Sequence, residues 1–200
     1  MMEKRLFLWG LSNGATMFAL AGAFWLGLGI GMIADQVHWL VPAVGTIVQV
    51  AGCVALIWAA ARLRRRSGFS RSELRHPDPS VKTKWRRVQT LFLWTVVGQA
   101  VVIALAVWIC VTVNARPMIW PSIGLAVSLH LVPLARLFHV GVYYVTALAG
   151  SGVSIVGFMM SNFPYGVVSL GAGLAIVMWL SAWWLLVHAD QIAGQAQRER

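Results

Sequence analysis

Residues 62–87 read RLRRRSGFSRSELRHPDPSVKTKWRR, and they lie between two long runs that contain no charge at all, 39–61 and 88–113. Ten cations stand in this segment against Glu73 and Asp78, a local excess of +8. Further uncharged runs cover 6–34, 117–135 and 137–187. A membrane-spanning helix needs about 20 apolar residues. The first four of these runs in chain order, 6–34, 39–61, 88–113 and 117–135, therefore hold one span each. The run 137–187 is too long for one span. It is divided by the turn-like cluster Ser161-Asn162-Phe163-Pro164-Tyr165-Gly166.

The fold class that follows is all-α, a polytopic bundle of six transmembrane helices in one integral membrane domain, residues 1–200. The expected helices cover about 14–34, 40–61, 88–113, 118–136, 138–160 and 165–188, with 62–87 as a basic loop. Composition agrees. The chain is 59% hydrophobic and 11% charged, whereas a soluble domain carries roughly 25% charged residues. The mean hydropathy is +0.74. A pI near 11.1 in a soluble chain would suggest nucleic acid. Here the cations are confined to segments between apolar runs, so a nucleic-acid partner is not expected.

Charge also orients the bundle. Fifteen of the sixteen Lys and Arg residues fall on one side of the six crossings, and only Arg116 lies opposite. The positive-inside rule then places both termini and the 62–87 segment in the cytoplasm. Arg outnumbers Lys thirteen to three, with abundant Ala, Gly and Val. This suits a GC-rich bacterial genome and a cytoplasmic-membrane location. The first apolar run continues to Ala34, longer than the 7–15 residues of a signal-peptide core, so it is expected to remain as a span.

In lipid, helices associate through close backbone approach. The first segment has Ala15, Ala19, Ala23, Gly27 and Gly31 at every fourth position, an expected packing stripe. Gly150 and Ser154 in the fifth segment, and Gly171 and Ala175 in the sixth, repeat the spacing. Intramolecular packing is the expectation, with a homo-oligomer as the alternative. Trp39, Trp120, Trp85, Trp183 and Trp184 mark the two interfaces. Trp25, Trp58, Trp94, Trp108 and Trp179 lie deeper and are expected to pack between helices.

In the basic segment, Ser70-Arg71-Ser72-Glu73 forms a capping-box pattern, and His76-Pro77-Asp78-Pro79 forms a turn. Arg62, Arg64, Arg65, Arg66, Lys82, Lys84, Arg86 and Arg87 are expected to meet anionic lipid headgroups, worth about 1 kcal/mol per cation.

Polar groups at membrane depth point to candidate chemistry. Gln49 and Gln99 lie near the middle of their segments. Ser128 and His130 lie in the fourth, and together these four could line one midplane pocket. Pro133 is the only proline inside a span. It denies the Leu129 carbonyl its helical donor and would kink the helix beside His130. Broken helices of this kind occur at transporter sites. The competing reading is that Pro133 ends a short helix before Arg136. Towards the cytoplasmic side stand Arg136, His139, Tyr143 and Tyr144, further candidate substrate-binding residues, and Arg136 could bind an anion. Arg136 could instead snorkel to the headgroups.

No catalytic motif is present. H-E-x-x-H, G-x-S-x-G and P-loop patterns are absent, and no carboxylate lies inside a span. Cys53 and Cys110 differ in expected depth by roughly 15 Å, too far for a disulfide, and no metal site is expected. No cofactor is predicted. Haem b remains the alternative, with His130, His139 and His188 as the available axial ligands.

The stretch from Ser128 to Thr146, SLHLVPLARLFHVGVYYVT, resembles a segment of small bacterial six-helix membrane proteins of uncharacterised activity. The resemblance implies the membrane fold and no particular chemistry. Three readings follow for function: a protein that binds or transports a small molecule or ion at the polar midplane, a non-catalytic membrane partner, and a haem-binding redox protein.

Overall fold

The computed structural model describes residues 2–68, 79–163 and 165–192, and for 2–6, 79–85 and 87 the backbone alone. The expected capping box, residues 76–78 of the expected turn, Arg71, Arg75, Pro164, Arg198 and Arg200 lie outside the described residues. So do the side chains of Lys82, Lys84 and Arg87.

Among the described residues seven helices follow one another: α1 Met2–Ile33, α2 Leu40–Ser67, α3 Pro79–Thr112, α4 Ile119–Leu129, α5 Leu131–Phe138, α6 Val142–Met159 and α7 Gly166–Val187. A short 3-10 turn, Arg116–Met118, precedes α4. No strand occurs among the described residues. Six segments of the described residues are long and apolar enough to cross a membrane, the 3-10 turn, α4 and α5 together making the fourth. This is an all-α, multi-pass membrane bundle.

Three helices run further than hydropathy indicates. α1 begins at Met2 instead of 14, α2 continues through Arg62–Arg66 to Ser67, and α3 starts at Pro79 instead of 88. The expected loop 62–87 is thus mostly helix at both its ends. Hydropathy reports where the hydrocarbon ends, whereas the helix ends where backbone geometry stops it. Arg and Lys are good helix formers. α2 stops where Gly68 takes a left-handed conformation (φ 60°) and donates its N–H to the Arg65 carbonyl.

The 32 residues of α1 measure about 48 Å at 1.5 Å per residue, against a hydrocarbon thickness of about 30 Å. The extension is packed. Leu8, Leu11 and Leu63 are buried in one cluster with Ala189 and Ile192 beyond the end of α7. Arg64 fixes the register of the two extended helices. Its Nη2 donates to Asn13 Oδ1 at 2.6 Å, and its Nε lies 3.5 Å from Ser12 Oγ. Arg64 therefore ties α2 to α1 while remaining exposed. Arg62, Arg65, Arg66 and Arg86 are exposed, and Arg62 stacks over the Trp58 ring at 4.8 Å.

α1, α7, α6 and the α4–α5 pair form the centre. α2 is applied to α1 and α7, and α3 to α4 and α5. α1 and α7 make the closest seam. The small-residue stripe contributes only in part. Ala15 and Ala19 are fully buried, but Gly31 is exposed with open space around it. Every-fourth spacing on a 3.6-residue helix turns by about 40° per step, so about 160° separates Gly31 from Ala15. The seam instead follows Ala15, Ala19, Gly22 and Gly29, and Gly27 turns towards Gln49 of α2.

Among the deeper tryptophans, Trp25 is buried and Trp179 is wedged between helices. Trp58, Trp94 and Trp108 are more than 60% exposed. They face outward because α2 and α3 are peripheral, a property that depth along the chain does not encode.

α4 and α6 are joined by a reciprocal pair of contacts. Ser128 Oγ donates to its own helix's Gly124 carbonyl at 2.8 Å, and Ser154 Oγ to the Gly150 carbonyl at 2.8 Å. Each serine lies over the other helix's glycine, Ser128 at Gly150 and Ser154 at Gly124. The hydroxyls are satisfied within their own helices, so the seam needs no polar partner and both serines are fully buried. A Cβ at Gly150 would press on Ser128 Oγ. Gly150→Ala is therefore expected to cost about 2 kcal/mol. Ser128→Gly should recover at least half of that in a double-mutant cycle of unfolding in mixed micelles. Simple additivity in the cycle would show that the two positions do not bear on each other.

Candidate functional site

The helical ladder of the fourth span lapses at one residue. α4 ends at Leu129 and α5 begins at Leu131, while His130 between them keeps right-handed helical dihedrals (φ −66°, ψ −17°) and donates its N–H to the Ala126 carbonyl at 3.2 Å. Pro133 is the third residue of α5, within its first turn, where the absent N–H costs no helical bond of α5. The lapse in the ladder falls just before Pro133, and the helix continues past Pro133 to Phe138. The reading in which Pro133 ends the helix before Arg136 is thereby corrected. What Pro133 does deny is a donor to the Leu129 carbonyl. His130 Nδ1 faces the Val127 carbonyl. A carbonyl only accepts, so the neutral ring carries its proton on Nδ1 and keeps Nε2 as an acceptor. His130 is half-buried.

Gln99 arrives at the same depth from α3. The antiparallel register of α3 against α4–α5 is bracketed by Cys110 Sγ, 3.6 Å from Ser122 Oγ, and by the Phe92 and Phe138 rings, 6.5 Å apart. Between these two anchors Gln99 falls level with residues 131–133. It is half-buried, on the same face of α3 as Cys110, and no hydrogen bond to it occurs among the described residues. The break therefore has a histidine acceptor, an unbonded carboxamide and a carbonyl without its helical donor at one level.

The other two members of the expected pocket are elsewhere. Gln49 Nε2 donates to the Ala23 carbonyl at 2.8 Å and lies against Gly27. It belongs to the α1–α2 seam, and α2 packs against α1 and α7, not against α3 or α4. Ser128 is turned to α6, as described above. Mid-span position does not encode the side of the helix on which these groups stand.

A second group collects at the other end of α5. His139 takes a left-handed conformation (φ 53°), which ends α5 and turns the chain into α6. Arg136, His139 and Tyr144 line an open cleft of about 350 Å³, with Ala135, Val140 and Gly141 completing its wall. Tyr143 does not join them. It is buried, packs edge-on against Phe18 (5.5 Å) and Phe138 (6.3 Å), and brings its hydroxyl over Gly14. Adjacent residues on α6 thus take opposite roles, one in the core and one at the cleft.

His188 stacks on Trp184 at 4.6 Å and sets Nδ1 3.1 Å from the Trp184 carbonyl at the end of α7. Cys53 and Cys110 are free thiols. No group of three or more His, Cys, Asp or Glu stands close enough to share a metal ion among the described residues.

Sequence reasoning did not anticipate three contacts. Thr146 Oγ1 and Ser181 Oγ meet at 2.6 Å between α6 and α7. Trp179 Nε1 donates to the Ala19 carbonyl at 3.1 Å. Gly124 is the partner of Ser154. A signal existed only for the last: Gly124 and Ser128 repeat the Gly-x-x-x-Ser spacing of Gly150 and Ser154.

No protein-family model, no curated protein and no solved structure matches this chain.

Proposed function

We propose that this chain is a multi-pass protein of the bacterial cytoplasmic membrane, with both termini in the cytoplasm, that binds a small polar molecule or ion at the α4–α5 break as a step in its transport. The observation that carries the reading is the interruption of a membrane span at His130, level with Gln99. Polar side chains and open backbone at membrane depth are costly unless something uses them. Most of the polar groups elsewhere in the bundle are bonded within their own seams. At the break, His130 Nε2, the Leu129 carbonyl and the Gln99 carboxamide supply two acceptors and a two-sided amide. That set suits a neutral or cationic solute with hydrogen-bond donors. No carboxylate lies inside a span, which speaks against hydrolytic chemistry at this level.

The test is a thermal-shift screen of detergent-purified wild type, His130→Ala and Gln99→Ala against a panel of ions and small metabolites. A cognate ligand at a hundred times its Kd is expected to stabilise wild type by about 2.7 kcal/mol and both variants far less. A ligand that stabilises His130→Ala as much as wild type, or a well-folded wild type indifferent to the whole panel, would count against the reading.

A further inference from the structure

We infer that the Arg136–His139–Tyr144 cleft is a headgroup site for an anionic phospholipid. The site is distinct from the break at His130, which lies about 9 Å away at the start of α5, six residues from Arg136. Three observations lead there.

The first is chemistry. The cleft of about 350 Å³ is lined by a guanidinium, an imidazole and a phenol, and no carboxylate lines it. Arg136 is the only full charge between residues 117 and 189. A guanidinium presents a planar fork of donors that matches a phosphate diester, and the phenol adds a further donor. A net anionic headgroup is favoured over a zwitterionic one, because the wall has nothing to balance a headgroup ammonium.

The second is level. Tyr143 brings its hydroxyl over Gly14, and the neighbouring Asn13 receives the guanidinium of Arg64. The cleft beside Tyr144 therefore lies at the same end of the bundle as the Arg62–Arg66 cluster, near the headgroup layer. Phosphate is concentrated there, and a snorkelling arginine reaches it.

The third observation selects a lipid over a free phosphate ester. From Tyr144 the outer face of α6 continues towards the bilayer middle through Val145 and Leu148, which are 66% and 78% exposed. A phosphate held at Arg136 would have acyl chains running along these residues. A soluble phosphate ester would leave that contact empty.

The experiment uses full-length protein in detergent, with dihexanoyl phosphatidylglycerol as probe, same-chain phosphatidylcholine as the zwitterionic control, and glycerol 3-phosphate as the headgroup without chains. The phosphatidylglycerol analogue is expected to raise the melting temperature of wild type. Arg136→Gln should weaken its apparent Kd at least about tenfold, the scale of one charge-assisted contact. Arg136 is exposed, so the variant should fold as wild type does. Should it not fold, Tyr144→Phe removes one donor without removing bulk and carries the same test with a smaller loss. Equal responses to the two lipids, or an undiminished response in Arg136→Gln and Tyr144→Phe, would overturn the proposal. So would stabilisation by glycerol 3-phosphate as large as by the lipid, which would reassign the cleft to a soluble ester. His130→Ala should leave the lipid response intact, which separates failure here from failure of the solute site.

Discussion

Gly171→Leu is expected to prevent α7 from seating on α1, and Gly171→Ala to cost about 3 kcal/mol, the upper end of ordinary overpacking. A Cβ at Gly171 would stand 2.5 Å from the Trp25 carbonyl oxygen and 3.2 Å from both Cα and N of Gly29. All of these are backbone atoms of a neighbouring helix, so no rotamer change can relieve the clash. Gly29 answers from the other side, where a Cβ would lie 3.3 Å from the Val168 carbonyl. The two helices meet backbone to backbone, which only glycine permits, and in lipid such contact replaces the missing hydrophobic drive. Gly31→Ala supplies the control. It has open space around it, and replacing a helical glycine by alanine gains up to about 1 kcal/mol. Midpoints of unfolding in mixed micelles should therefore fall sharply for position 171 and hold or rise for position 31. Similar shifts at both would mean that α1 presents its every-fourth stripe to α7 after all.

That contrast also shows what the sequence makes legible. Uncharged runs longer than the bilayer is thick report spans directly, so the six-span architecture is readable from composition. Helix ends are less so. Arg62–Arg66 are charged yet helical, and the stop is set by one left-handed glycine, Gly68. Facing is the least legible. Gly31 and Ala15 share a spacing but not a side, because small angular errors accumulate along a long helix. Gln49 and Gln99 have similar depth but belong to different seams, since α2 and α3 attach at different helices of the central group. The break at His130 is legible because Pro133 has a local cause, a missing donor, that needs no knowledge of neighbours. The cleft at Arg136 is half legible. The residues are adjacent in sequence, but that Tyr144 lines it while Tyr143 is turned to Phe18 depends on where α1 lies.

Trp179→Ala is expected to destabilise the bundle by about 3 kcal/mol, within the range for losing a large packed aromatic, and Trp179→Phe by about 1 kcal/mol, the worth of one hydrogen bond. Trp179 joins three helices. From α7 its ring edge covers Gly22 of α1, its far side stands 3.0 Å from the position a Cβ would take at Gly52 of α2, and its Nε1 donates to the Ala19 carbonyl. Two glycines, one on each neighbour, make the slot, so no other side chain can slide in to fill it. Phenylalanine keeps most of the ring volume but loses the donor. The Ala19 carbonyl retains its own helical bond, which limits the loss. The consequence is specific to α2. α2 also packs on α1 through Leu56, Ala60 and Leu63, and Trp179 adds the contact that ties the middle of α2 to α7. In Trp179→Ala, cysteine pairs engineered across the α2–α7 seam should cross-link more slowly, while pairs across the α4–α6 seam, where the Ser–Gly contacts are untouched, should react as in wild type. Equal slowing at both seams would show that Trp179 supports the bundle as a whole and not the attachment of α2.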